Sequence, residues 1–216
     1  TAKPISSGLA AAPAASKLLG LYAHIPFCSA ICNYCNFNRG LFDASLKSRF
    51  VDALLSEMRG GAMSPHPSPL TPVSDTLYFG GGTPSLLTPS DVTSIIEESR
   101  RSLGLELDAE ITLEANPESV DPALLKGFRQ AGVNRLSFGV QSFRDEELER
   151  LGRLHSADRA RQTVEMARAA GFDNVSLDLM MGLPGQDLQQ WLVSVEEAVR
   201  VAPDHLSLYI LEVYPH

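Results

Sequence analysis

The chain has 216 residues, 44% hydrophobic and 20% charged, with a formal net charge of −8. That is enough for one domain with a substantial core. No apolar run is long enough for a transmembrane helix, and the acid excess argues against a large nucleic-acid footprint. The three cysteines point to a reducing compartment, where thiols stay free for metal or redox work.

Residues 1–20 are rich in Ala, Ser and Pro and contain no acid, Asp43 being the first acidic residue. They also lack arginine, so a flexible N-terminal tail is preferred over the remnant of a transit peptide. The chain starts at Thr1 rather than at a methionine, as a fragment would.

"LLGLYAHI" (18–25) reads as a first strand. "DTLYFGG" (75–81), "AEITLEA" (109–115), "NRLSFGV" (134–140), "NVSLDLM" (174–180) and "HLSLYI" (205–210) read as five more. They are short, bounded by turn residues and too apolar for half-exposed hairpins, as expected of strands buried on both faces. Between them lie helix signals. Asp43 can cap a helix with Leu46, Phe50, Leu54 and Met58 on one face. Thr88, Pro89 and Asp91 form a capping box with proline at the first position, and Asp121–Pro122 repeats the cap-then-proline device. Ser156 opens a helix that Gly171 can close, and Asp187 opens one with Leu188, Trp191, Leu192 and Val195 inward and Pro203 as its stop. Residues 60–74 read as an exposed Gly/Pro/Ser loop. Strict alternation of strand and helix predicts an α/β fold of repeated βαβ units around a parallel sheet.

The strand ends carry polarity that the strand interiors lack. The second ends in "GGGT", the third at Glu114, the fourth at Gln141; the fifth carries Asp178, and the sixth meets Glu212. In parallel α/β architectures ligands sit at the carboxyl ends of strands, so these residues together mark a binding rim.

"HIPFCSAICNYCNFNRG" (24–40) follows the first strand and brings Cys28, Cys32 and Cys35 to the same rim with the spacing CxxxCxxC. Structural zinc takes four protein ligands, with thiolates in CxxC pairs; His24 would be the fourth. Iron–sulfur clusters are held by cysteine thiolates, normally four. Three thiolates on a four-iron cubane would leave one iron for a non-protein ligand.

CxxxCxxC after a first barrel strand, followed by "GGGTPS", resembles the radical S-adenosylmethionine (SAM) superfamily. The resemblance implies a (β/α)6 partial TIM barrel and a [4Fe-4S] cluster on Cys28, Cys32 and Cys35. In that superfamily the open iron is chelated by the amino and carboxylate groups of S-adenosylmethionine, and an electron then cleaves the sulfonium to methionine and a 5′-deoxyadenosyl radical, so the resemblance implies the same chemistry here. "LYAHIPFC", "YFGGGTPSLL", "LEANPES", "GVNRLSFGVQSF", "LGRLH", "DLMMGLPGQ" and "DHLSLY" further resemble the family of oxygen-independent coproporphyrinogen III oxidase and its relative, the HemW-type haem chaperone. The similarity runs from about residue 21 to the end. It implies a radical SAM core over 21–216, truncated after the sixth strand and without the C-terminal region of either branch.

By that resemblance Tyr22 contacts S-adenosylmethionine and Tyr34 packs on its adenine. Gly81, Gly82 and Thr83 approach the methionine ammonium, where glycine permits close backbone approach. Glu114, Gln141, Arg153 and Asp178 match the remaining cofactor contacts, with chemistry suited to ribose hydroxyls, an ammonium or a carboxylate. Met180 and Met181 read as packing residues. His155 and His205 are candidate haem-iron ligands by residue type alone, and capping or surface roles suit them better.

Bacterial oxidases of the family carry a fourth cysteine two positions after the third, where this chain has Phe37. "CNFN" resembles the chaperone branch instead. The expected function is therefore a radical SAM-fold haem chaperone, with coproporphyrinogen III decarboxylation as the alternative and no catalytic residue assigned. Implied partners are haem or a porphyrin, a reductant protein and haem-accepting proteins. Free thiols and an oxygen-sensitive cluster suit the cytoplasm, with the mitochondrial matrix second.

Overall fold

In the computed structural model, residues 18–61 and 73–212 are described. The expected tail and most of the 60–74 loop lie outside them. Six parallel strands form one sheet, curled into a half-barrel and ordered as they occur in the chain. They are β1 (Leu18–Ile25), β4 (Val73–Gly81), β5 (Leu105–Ala115), β6 (Arg135–Gln141), β7 (Asn174–Met181) and β8 (His205–Ile210). A two-residue pairing of β2 (Phe27–Cys28) with β3 (Gly40–Leu41) closes the cysteine loop. The helices are α1 (Ala44–Gly61), α2 (Pro89–Leu103), α3 (Pro122–Ala131), α4 (Asp145–Arg150), α5 (Ala157–Ala169) and α6 (Leu188–Arg200).

The caps expected from sequence are formed. Thr88 and Asp91 make the reciprocal capping box of α2, and Asp121, Ser156 and Asp187 each accept from a first-turn backbone N–H. The Asp43 carboxylate accepts from Leu46 N at 2.7 Å. Such caps contribute about 1 kcal/mol each. Gly104 closes α2 with φ +68, and Gly171 follows α5 with φ +90, a region that glycine enters without steric cost.

Three expectations need correction. The strands are not apolar on both faces. Their convex side carries Ile25, Phe79, Leu113, Phe138 and Leu177, all with no exposed surface. The concave side carries Tyr78, Thr112, Glu114, Arg135, Ser137, Asp178 and Ser207, joined across strands by side-chain hydrogen bonds. The helices cover one side only, so a polar lining survives on the other. In α1, Leu46 is exposed, and Phe50, Val51, Leu54 and Met58 form the inward face. In α6, Leu188 and Leu192 are exposed, and Trp191, Ser194 and Ala198 turn inward. Leu46 and Leu188 extend the apolar stripe into a first turn that stays exposed, and Leu192 stands one position beyond the inward-facing Trp191. The short helix α4 has too few apolar residues to announce itself.

Candidate cofactor site at the strand C-termini

The cysteine loop is fastened by backbone and side chains. Gly40 N donates to Pro26 O at 2.7 Å and Phe42 N to Cys28 O at 2.9 Å. Arg39 donates to the carbonyls of Cys35 and Phe37, and Asn33 docks the loop on Arg150 O and Leu151 O. Cys28 is buried, while Cys32 and Cys35 are partly accessible. Burial pushes the Cys28 thiol up, Thr83 opposes as a hydrogen-bond donor, and the other two thiols add to the rise. Gly82 passes so close that a Cβ there would come within 3.0 Å of Cys28 Sγ and 2.6 Å of Phe27 O. Only glycine fits under the loop.

Arg153 lies against the loop on the other side. Its side chain is 5% exposed, so it is no solvated helix charge, unlike the exposed Arg150. One terminal nitrogen donates to Asn116 Oδ1 and to Gly139 O, each at 2.7 Å. The other points at Cys32 Sγ at 3.6 Å. Burial works to lower the guanidinium, but Tyr34, Glu118 and Cys32 outweigh it and hold it above its ordinary value. Glu118 is itself fastened by His155 Nδ1 at 3.1 Å, while His155 Nε2 meets Val140 O at 3.1 Å. His155 is thus buried with both ring nitrogens engaged. His205 begins β8 at the opposite end of the sheet.

Gln141 ends β6 in an unusual conformation. A register shift separates it from Gly139, and its φ is +68, a value a non-glycine residue adopts at a cost of order 1 kcal/mol or more. The turn brings its Nε2 over Gly139, where a Cβ would meet it at 3.1 Å and Asn116 Oδ1 at 3.2 Å. Bulges at strand ends re-aim side chains in this way.

Glu114 and Asp178 stand on the concave face itself. Glu114 accepts from Tyr78 Oη at 2.8 Å and from Gly81 N at 3.1 Å. Burial is the main cause that lifts its carboxyl above the usual range. Asp178 accepts from Ser137 Oγ at 3.3 Å and is lifted by burial too. Tyr22 stacks on Tyr78 with centroids 6.0 Å apart and is 59% exposed. Tyr34 packs on Leu151, Met180 and Leu183 beside a cleft of about 300 Å³. Met180 is therefore a packing residue.

The expected site residues thus fall into two adjoining groups. Cys28, Cys32, Cys35, Tyr34, Gly82, Thr83, Gln141 and Arg153 surround the loop, while Tyr22, Gly81, Glu114 and Asp178 line the sheet beside it. Asn116, Glu118 and Tyr78 were missed. Asn116 lies two residues beyond Glu114, and Tyr78 two before Gly80, so the period of two that places a strand's side chains on one face was the signal.

Three buried polar atoms lack partners here: Arg39 Nε within the cysteine loop and, at the rim, the pair Gln141 Oε1, an acceptor, and Arg153 Nε, a donor. Orphaned groups of this kind cost about 1–3 kcal/mol each unless a ligand satisfies them. A zwitterionic amino-acid group carries both a carboxylate and donors, and it fits that pair. Among the described residues no three His, Cys, Asp or Glu side chains converge on a single metal position. His24, the fourth zinc ligand considered from sequence, has Nε2 2.8 Å from Asn38 O.

A parallel half-barrel with three thiols at the carboxyl end of its first strand defines a class. Residues 22–198 match the model of the radical SAM superfamily, and the chain belongs to it. Among curated proteins it is 36% identical to the heme chaperone HemW of Haemophilus influenzae, over 92% of this chain and 52% of that one. The HemW of Escherichia coli is 38% identical over the same shares. The mitochondrial radical S-adenosyl methionine domain-containing protein 1 of Bos taurus is 41% identical, over 92% and 44%. The chain spans about half the length of these relatives. Among solved structures, coproporphyrinogen III oxidase (HemN) from Escherichia coli superposes with a TM-score of 0.81 at 30% identity, covering 92% of this chain and 45% of that one. The expected superfamily and partial barrel are borne out.

Proposed function

We propose that residues 21–216 are the radical SAM core of a haem chaperone that holds a [4Fe-4S] cluster and S-adenosylmethionine and acts in haem delivery. The observation that carries the reading is the gathering of the three-thiol loop, the orphaned Gln141 Oε1 and the orphaned Arg153 Nε at one strand rim. Cys28, Cys32 and Cys35 would hold the cluster. Arg153 would offer a donor to the nucleotide's carboxylate, and Gln141 an acceptor to its ammonium or hydroxyls. Glu114 and Asp178 would accept from further donors, and Tyr22 and Tyr34 would supply aromatic surface. The Gly81–Gly82–Thr83 backbone would lie alongside the methionine moiety. When bound, the pair supplies one-electron chemistry at a sulfonium centre.

Similarity to the chaperones of two bacteria and the exposed Phe37 after the third cysteine favour haem delivery. The 0.81 superposition on the oxidase favours the second reading, decarboxylation of coproporphyrinogen III. Haem, a reductant protein and haem-accepting proteins are the partners this reading requires, in the cytoplasm or the mitochondrial matrix. Among the described residues no helix is long and apolar enough to cross a membrane. The test is a paired assay on the full-length protein: it should bind haem and leave coproporphyrinogen III unchanged when given S-adenosylmethionine and a reductant. Multiple-turnover release of carbon dioxide would replace the first reading with the second.

A further inference from the structure

Asn116 sits between two thiols without touching either. Its carboxamide oxygen accepts from Arg153 at 2.7 Å, and its nitrogen donates to Thr83 Oγ1 at 3.1 Å. This orientation is forced. A guanidinium has donors only, so the oxygen must face Arg153 and the nitrogen must face Thr83. The Thr83 oxygen then accepts, which leaves its own hydrogen for another partner. Thr83 is 2% exposed and anchored by its N–H to Phe27 O, next to Gly82, where a Cβ would come within 3.0 Å of Cys28 Sγ. The Cys28 sulfur is the group beside it that this hydrogen can serve, and the Thr83 hydroxyl acts to lower that thiol. On the other side, Arg153, pinned by Asn116 and by Gly139 O, presents N–H to Cys32 Sγ at 3.6 Å. One carboxamide therefore orients a hydroxyl toward one thiol and a guanidinium toward another.

We infer that Asn116 is a positioning residue of the cluster site: through Thr83 and Arg153 it keeps a hydrogen-bond donor on each of Cys28 and Cys32, and so raises the reduction potential of the cluster they hold. The inference rests on the proposed cluster-binding function. Its physical basis is that donors to ligating sulfurs stabilise the more negative, reduced cluster, and that outer partners of metal ligands tune the centre. No thiol need change its protonation for this to operate.

The test uses full-length protein reconstituted anaerobically as wild type, Asn116→Ala, Thr83→Val and the double variant. Iron and sulfide are assayed, and the midpoint potential is followed by electron paramagnetic resonance. Asn116→Ala should keep its cluster yet lower the reduction equilibrium by roughly tenfold, ~59 mV for one electron. Thr83→Val, which removes only the hydroxyl arm, should lower it less. The double variant should fall short of the sum, because one residue acts through the other. A potential equal to wild type in Asn116→Ala, even with reduced thermal stability, would make the residue merely structural and overturn the inference; so would full additivity. Should Asn116→Ala fail to hold a cluster, an unshifted Thr83→Val would overturn it instead. A wild-type protein that binds no cluster would remove the functional reading as well, an outcome distinct from an unshifted variant.

Discussion

The two faces of the half-barrel sheet are one residue apart along every strand, yet they serve opposite ends. On the convex face Phe79, Leu113, Phe138 and Leu177 have no exposed surface and pack beneath the helices. Burying each contributes about 1.5–3 kcal/mol. Their chain neighbours Tyr78, Glu114, Ser137 and Asp178 turn to the concave face, where two carboxyls are lifted by burial and a phenol is lifted likewise. A lifted carboxyl means that its charged form is held at a cost. Contrast Asp204, which accepts from Val175 N and Arg168, each at 2.8 Å; the Val175 N–H chiefly holds its carboxyl below the usual range. Acids in the supporting structure stabilise the fold, and those on the concave face are ionised at a cost to it.

The sharpest break of this comparison is a truncation on the convex side. Phe138→Ala should cost about 3–5 kcal/mol in denaturant unfolding, with nucleotide binding lost only together with the fold. A loss below 1 kcal/mol would show that the convex layer is not the stabilising one.

Substitution on the concave side should do the reverse. Glu114→Gln removes a charge held above its ordinary pKa while keeping its shape. The protein without ligand should melt at a higher temperature near neutral pH. Affinity for S-adenosylmethionine by calorimetry should fall about tenfold or more, as expected for a hydrogen bond to a charged group worth about 1.5–3 kcal/mol. The pH slope gives a second readout. For Glu114 and Asp178 the folded pKa exceeds the unfolded one, so between the two values the folded state holds more protons. Their contribution to stability therefore falls as pH rises through that window and returns on acidification. Asp204 acts in the opposite sense: its stabilisation is present above the unfolded value and is lost as pH falls through the folded one. Glu114→Gln should flatten the loss of stability between acid and neutral pH. A lower melting temperature combined with unchanged affinity would make Glu114 a structural acid.

Much of this is legible in the sequence. Strand positions, the parallel sheet, the caps and the cysteine loop follow from local patterns whose period or turn chemistry is unambiguous, as at Thr88–Asp91 and Asp187. The two-faced character of the strands was written in the period of two of "RLSFGV" and "NVSLDLM", whose Arg135, Ser137, Asn174, Ser176 and Asp178 fall on one side, but with one charge in each run the apolar content dominated. The site's residues were visible as types at strand ends, but their partners were not. That Arg153 is buried among Asn116, Gly139 and Cys32, and that Gln141 carries a positive φ, depends on segments distant in sequence meeting at one rim. His155 looked like a surface group because the acid that fastens it, Glu118, lies on another element.

The account's central claim is that three thiols hold a cluster with one iron left for a nucleotide. The most direct measurement is the electron paramagnetic resonance spectrum of reduced, anaerobically reconstituted protein before and after addition of S-adenosylmethionine, with metal and sulfide determined on the same sample. The account predicts about four irons and four sulfides per chain, a spectrum that changes on addition of the nucleotide, and loss of both after Cys32→Ser. Stoichiometric zinc, or a cluster whose spectrum is indifferent to S-adenosylmethionine, would contradict it.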